Sequence, residues 1–345
     1  MKVVIANFSK AVASRENYRA YWESHAQPER GKRLSLFEYK ADWGFHIYAP
    51  GVYLMDQGVA QEVEFWDFAE QRSTSYHPYG VLNVTFHNER DCKAYIDRYG
   101  CPDLYIQHGG VAGQAILRYL KGKSFTVYVP ALRYGYRIEQ LIDRLGNFRA
   151  SCYLVDSEEY LDDRSMLYVP VVNTSQIRPR DGEKKRDFIY LARNYGGKRH
   201  DIVLNAVRGT AMTGHFHPVD AAKLDLQNTR VTTSDWDQAD VVGLLTTSRI
   251  AVYAGDSTSN PAAMWECVAA GLPIVVNKNI RGGKHLVVPG VTGEFASEED
   301  FYDCMRYVLE NRGRYRPREY FIENWDTVQT LEKYMAFFQA MGWNR

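Results

Sequence analysis

Residues 255–277 read GDSTSNPAAMWECVAAGLPIVVN. An Asn-Pro pair opens an apolar stretch and a glycine closes it. This predicts a helix over about 261–270, with Asn260 as N-cap, Pro261 in the first turn and Gly271 just past the end. The helix leaves the strand-like run IAVYAG through a polar loop holding Asp256, Thr258 and Ser259. Open α/β sheets bind their ligands at such carboxyl ends of strands, and the free N–H groups of a helix start attract anions. The helix carries one carboxylate, Glu266, in its second turn. Helical side chains lean toward the N-terminus, so Glu266 would repel a phosphate but could accept both hydroxyls of an adjoining ribose. The competing reading is an exposed carboxylate, or one paired with an arginine.

A second cluster, FIYLARNYGGKRHDI, places Arg193 and Lys198 just past a strand end, with two glycines before the lysine. A guanidinium fork and a compact ammonium can together clamp a diphosphate; a solvated basic loop is the plain alternative. A third, IRGGKHLVVPGVTGEF, sets Gly282 and Gly283 after the run LPIVVN. Two patterns with metal-site lettering have simpler readings. DWD (Asp235–Asp237) is expected to cap the helix QADVVGLL. His215 and His217, in HFH, are expected on opposite faces of a short strand, and with His200 they read as structural. No P-loop, G-x-S-x-G or H-E-x-x-H is present.

The elements that must position these residues alternate regularly. KVVIAN, GVLNVTF, DLYIQH, FTVYVP and ASCYLVD read as strands, and VYLMD and EVEFWDF as short β-like pieces. ENYRAYWESHAQ, ERDCKAYIDRYG, GQAILRYLKG and IEQLIDRLGNF read as helices between them. A polar, Pro- and Gly-containing stretch follows, and the alternation restarts at DFIYLA. Such βαβ order builds parallel sheets. The expected architecture is two tandem Rossmann-like doubly wound domains facing a central cleft: 1–173, a linker over 174–186, and 187–325. A C-terminal helix in 326–345 would pack back on the first domain.

The composition narrows the function. The chain has 345 residues, with 42 basic and 42 acidic side chains, a balance that disfavours non-specific nucleic-acid grip. Five cysteines without a C-x-x-C pair read as reduced thiols of a cytoplasmic protein. No run approaches the ~20 apolar residues of a membrane span.

In combination these segments resemble the nucleotide-binding half of GT-B glycosyltransferases, in particular the retaining group called family 4. LARNYGGK matches the family's strand followed by Arg, four residues and Lys. ECVAAGLPIVV matches its E-A-M-A-x-G-x-P-V-V, and GGKHLVVPGVTG echoes its next glycine-rich turn. The likeness is clear over most of 150–312 and looser before it. It implies a nucleotide-diphosphate sugar donor, no metal and no other cofactor. The donor would be held by Arg193, Lys198, Asp256, Thr258, Ser259, Asn260 and Glu266, with Glu266 on the ribose. CPDLYIQHGGVAG resembles a family stretch that places His108 at a strand end. Glu16, in the loop after the first strand, stands nearest the family's acid there. Glu16 and His108 are therefore the catalytic candidates, needed as base if the reaction inverts.

Two departures bear on the chemistry, one of them that the strand FTVYVPAL offers no His where the family often has one. The family carries a further Glu eight residues before the helix Glu; here that position is Thr258, with Asp256 nearby. Phage DNA glucosyltransferases, which invert, also show Trp-Glu on this helix, as Trp265-Glu266 does. The expected acceptor is a glycan, a lipid-linked sugar or a small molecule, with DNA as the alternative. A silent nucleotide-sugar-binding protein is the reading from outside the enzymes.

Overall fold

The computed structural model describes residues 1–7, 35–37, 45–68, 73–76, 81–109, 113–130, 150–180, 182–193, 196–235, 240–256 and 260–344. The helices expected over 16–27 and 138–148 lie outside these residues. The chain forms two compact units, Met1–Tyr168 with Leu331–Arg345, and Val169–Thr330.

The first unit is built on a sheet of strands β1 (Lys2–Asn7), β2 (Glu62–Phe68), β3 (Ser73–Tyr76), β4 (Leu82–Phe86), β5 (Leu104–Gly109), β6 (Phe125–Pro130), β7 (Cys152–Val155) and β8 (Ser165–Leu167). Their order is β3-β4-β2-β1-β5-β6-β7-β8, and every pairing is parallel except the edge pair β3–β4. The sheet winds outward in both directions from β1 and β5, so its topological switch lies between them. There Asn7 pairs with His108 in register. The wholly apolar centre of β1, Val3 to Ala6, is buried, as a strand covered on both faces must be. Trp66, Phe86, Tyr95 and Tyr105 fill the core on one side. A buried carboxylate in this core, Glu64, is satisfied by the Trp66 indole N–H at 2.6 Å, the Tyr95 hydroxyl at 3.0 Å and the Lys2 ammonium at 2.7 Å.

Helix α1 (Phe45–Asp56) corrects one expectation. It contains VYLMD, which alone reads as β because short apolar runs fit either state. The helix rests against β1 and β2 so closely that a Cβ on Gly51 would stand 2.7 Å from Val63 and 2.8 Å from Ile5. Helices α2 (Glu89–Tyr99) and α3 (Gln114–Leu120) follow β4 and β5. Asn88 caps α2, accepting from the N–H groups of Arg90 and Asp91 at 2.9 and 3.0 Å.

The second unit holds β9 (Arg186–Leu191), β10 (Thr213–His217), β11 (Arg230–Thr233), β12 (Ser248–Tyr253), β13 (Ile274–Asn277) and β14 (Gly293–Ala296). All are parallel in the order β11-β10-β9-β12-β13-β14. This is the doubly wound dinucleotide-fold order, with its switch between β9 and β12. The helices are α4 (His200–Val207), α5 (Val241–Thr246), α6 (Ala262–Ala269), α7 (Phe301–Glu310) and α8 (Pro317–Trp325). Helix α5 starts after Asp240, its N-cap, so the DWD segment does not cap it; residues 236–239 lie outside the described residues. Arg318 on α8 donates to the carbonyl of Ala269 at 2.6 Å, placing a cation at the C-terminus of α6. It also reaches the carbonyls of Ile177 at 2.7 Å and Thr174 at 3.0 Å.

A last helix, α9 (Thr327–Ala340), leads into the stretch counted with the first unit. There Tyr334 stacks on Tyr168 and Phe338 meets Phe125, with centroids 6.4 and 6.2 Å apart. Among the described residues no helix is long and apolar enough to cross a membrane.

Candidate functional site

The exits of β9, β12 and β13 are locked together at the switch point of the second sheet. A Cβ on Gly255, just past β12, would lie 2.9 Å from the Gly197 carbonyl after β9. Asn277 at the end of β13 donates to the Ala254 carbonyl at 2.9 Å. Gly283, with φ of 79°, would place a Cβ 2.6 Å from Oδ1 of Asn260. Three loops that are distant in sequence thus share one small region, with backbone-close contacts at each junction.

Lys198 and Arg193 belong to this region. Lys198 is buried, and its ammonium donates to the Tyr253 hydroxyl at 2.7 Å. Burial, reinforced by the charge of Arg193, brings the Lys198 ammonium down to about 8. The Lys198 carbonyl accepts from the Tyr190 hydroxyl, and Tyr190 also accepts from the Ala254 N–H at 3.3 Å. His200, at the start of α4, hydrogen-bonds the Ala192 carbonyl at 3.0 Å, and burial holds it below its usual range.

Asn260 and Pro261 require a correction. Helix α6 begins at Ala262 with Pro261 as its N-cap and no side-chain cap bond. The Asn260 side chain turns inward instead, and its Oδ1 accepts the Trp265 indole N–H at 2.5 Å. A fully buried indole cannot go without an acceptor, and that need outweighs capping. The N-cap position thus carries no side-chain cap, and the helix starts directly after the loop that leaves β12, where backbone N–H groups favour an anion. Gly271 follows the helix at φ of 82°.

Glu266 is half-buried between buried neighbours, and its charge adds to the burial that pushes the Cys267 thiol up. Asp256 is drawn toward Arg199, whose Nη1 lies 3.9 Å from its carboxylate. Arg199 also binds Asp201 at 2.9 Å and Glu298 at 3.1 Å, so it gathers acids from three separate segments. Thr258 and Ser259 lie outside the described residues.

His108, in the first unit, ends β5 beside Asn7. It is 8% exposed, its Nε2 has no hydrogen-bond partner among the described residues, and the Tyr168 ring meets it edge-on at 6.0 Å. Burial, with His46 nearby, brings the imidazole down to about 3. Glu16 lies outside the described residues.

His215 and His217 do not diverge: both hydrogen-bond Ser234 Oγ, at 2.8 and 3.0 Å. Residues two apart on a strand share a face. Among the described residues no three His, Cys, Asp or Glu side chains converge as metal ligands. Sequence patterns missed Tyr190, Tyr253 and Arg199. The two tyrosines sit inside runs that read only as apolar strands, and Arg199 adjoins the recognised lysine.

No family model and no curated protein sequence matches the chain. Solved structures do. HepE of Anabaena, in complex with UDP and glucose, superposes with a TM-score of 0.68 at 14% identity, covering 99% of each chain. Sucrose-phosphate synthase of Thermosynechococcus elongatus gives 0.70 at 13%, covering 99% of this chain and 100% of that one. The lipopolysaccharide outer core galactosyltransferase WaaB, in its apo form, gives 0.62 at 12%, covering 99% of each. The fold is GT-B. In this GT-B chain the switch point of the second sheet brings a guanidinium and an ammonium beside the strand that leads into α6. Chemically, that set can bind a diphosphate and stabilise charge developing on it.

Proposed function

We propose that the chain is a glycosyltransferase that moves a sugar from a nucleotide-diphosphate sugar to a glycan, lipid-linked or small-molecule acceptor, with retention and without metal. One observation supports the reading: at the joined exits of β9 and β12, Lys198 meets Tyr253 with the Arg193 charge nearby, next to the loop that leads into α6. The UDP bound to HepE, a chain of the same fold, supports a nucleotide donor.

In this mechanism the bond between the anomeric carbon and the phosphate oxygen breaks, and its electron pair stays on the phosphate. Arg193, Lys198 and the α6 N–H groups stabilise that charge as it forms, and Glu266 accepts the ribose hydroxyls. The acceptor hydroxyl attacks the anomeric carbon from the face the phosphate leaves, and its proton passes to the departing phosphate oxygen. Such a route needs no protein base.

The test is release of nucleoside diphosphate from a panel of UDP-, GDP-, ADP- and dTDP-sugars, with and without chelator. Proton NMR of the transferred sugar follows the configuration. Release from one donor, unaffected by chelator and with the anomeric configuration kept, is the expected result. A chain that neither binds nor cleaves any donor would overturn the proposal.

A further inference from the structure

Resting on that reading, we infer that Tyr253 is a positioning residue for Lys198, its hydroxyl holding the ammonium at the exit of β9 where the donor diphosphate lies. Tyr253 ends β12 and is 1% exposed. Its ring stands edge-on to Tyr190, with centroids 5.7 Å apart and planes at 84°. Packing of that kind needs only the ring. The hydroxyl does something else, accepting from Lys198 Nζ at 2.7 Å, while the ammonium also lies 5.1 Å from the ring centroid. Tyr190 acts on the other end of the same residue, donating to the Lys198 carbonyl. Lys198 is therefore gripped at main chain and ammonium by two phenols from adjacent strands.

The choice of partner matters chemically. An ammonium withdrawn from water needs an acceptor. A carboxylate would supply one but would neutralise the charge and compete with phosphate. A phenol oxygen orients the ammonium and leaves its charge for an incoming anion. The neighbouring charges fit this division. Arg193, from the exit of β9, repels the ammonium. His200, on α4, is held neutral near Ala192. Asp201 on α4 and Asp256 after β12 are drawn to Arg199.

The experiment measures affinity of the full chain for UDP, ADP and GDP by calorimetry from pH 6.5 to 9.5. The wild type, Tyr253→Phe and Lys198→Gln are compared. In the wild type, affinity is expected to fall as pH rises past the point where Lys198 loses its proton, and Lys198→Gln is expected to lack this fall. Tyr253→Phe removes one acceptor of the charged form. It is expected to move the fall to lower pH and to weaken binding about five-fold at pH 7.5, the worth of one hydrogen bond. A Tyr253→Phe profile that overlays the wild type, while Lys198→Gln flattens it, would overturn this inference and leave the donor site standing. Binding of none of the three diphosphates by the wild type would remove the donor reading and this inference with it. Failure of the isosteric Tyr253→Phe chain to fold would assign the hydroxyl to the fold, and so also overturn the inference.

Discussion

The side-chain oxygen of Asn260 accepts the indole N–H of Trp265 across the first turn of α6, at 2.5 Å. This bond turns the Asn260 side-chain oxygen to the indole, away from the capping role its position before Pro261 suggests. It also fixes Asn260 against Gly283, so the loop after β13 is registered on the helix start. Asn260→Ala is expected to leave a buried indole N–H unpaired and to cost about 1–3 kcal/mol of stability. Trp265→Phe removes donor and need together and should cost less than Asn260→Ala at the polar contact, with the lost ring packing added. Urea unfolding of the two variants, read beside the double variant, checks the coupling.

Gly283 tests the same junction from the other side. Its φ of 79° favours glycine, and a Cβ there would press on the Asn260 amide at 2.6 Å. Gly283→Ala is expected to lose about 1–2 kcal/mol for the left-handed conformation, plus the displacement of Asn260. Donor affinity should fall with it, because the helix start shifts. A melting curve and a UDP titration on the same preparation separate the two effects; unchanged values in both would refute the close approach.

For Arg193, the expected loss lies in turnover. If the guanidinium stabilises charge that forms on the leaving phosphate, Arg193→Ala should lower kcat by about 10²–10³, the range for removing one such donor. Arg193→Lys should recover only part, since an ammonium lacks the planar fork. Steady-state rates on the cleaved donor measure this, and near wild-type turnover in Arg193→Ala would sink the phosphate assignment.

How much of this was legible beforehand depends on what each residue announces. Pattern sufficed for the paired strands and helices because buried parallel strands such as KVVIAN and IAVYAG are continuous apolar runs. Arg193, Lys198 and Glu266 were singled out by local spacing together with the family likeness, and the structure sets Lys198 against Tyr253 with Arg193 nearby. Asn260 was misassigned because its partner choice depends on a buried indole five residues away, which no capping rule weighs. VYLMD failed for another reason: its helical state follows from the fit of Gly51 against β1 and β2, contacts made across the sheet. Tyr253 stayed hidden because a tyrosine ending a strand looks like core until its hydroxyl is seen on Lys198. RVTT and GEFA, short edge pieces of the second sheet, carry too little pattern to read as strands.

Acid is expected to act through two desolvated histidines of the first unit, His108 and His46. Burial brings His108 down to about 3 and His46 to about 4, whereas the unfolded chain titrates near 6.5. Between those values the unfolded state binds more protons than the folded one, so stability rises with pH across the window. The stabilisation from keeping each imidazole neutral is fully present above about pH 6.5 and is lost as pH falls below it, at roughly 1.4 kcal/mol per pH unit for each histidine. His108→Gln removes one of these titrations. Its unfolding free energy, read from urea titrations, should therefore fall less steeply than that of the wild type between pH 6 and pH 4.5, by about 1.4 kcal/mol per pH unit. Parallel slopes for the two chains would mean that His108 gains a proton in the folded state within this range, against the burial that holds it neutral.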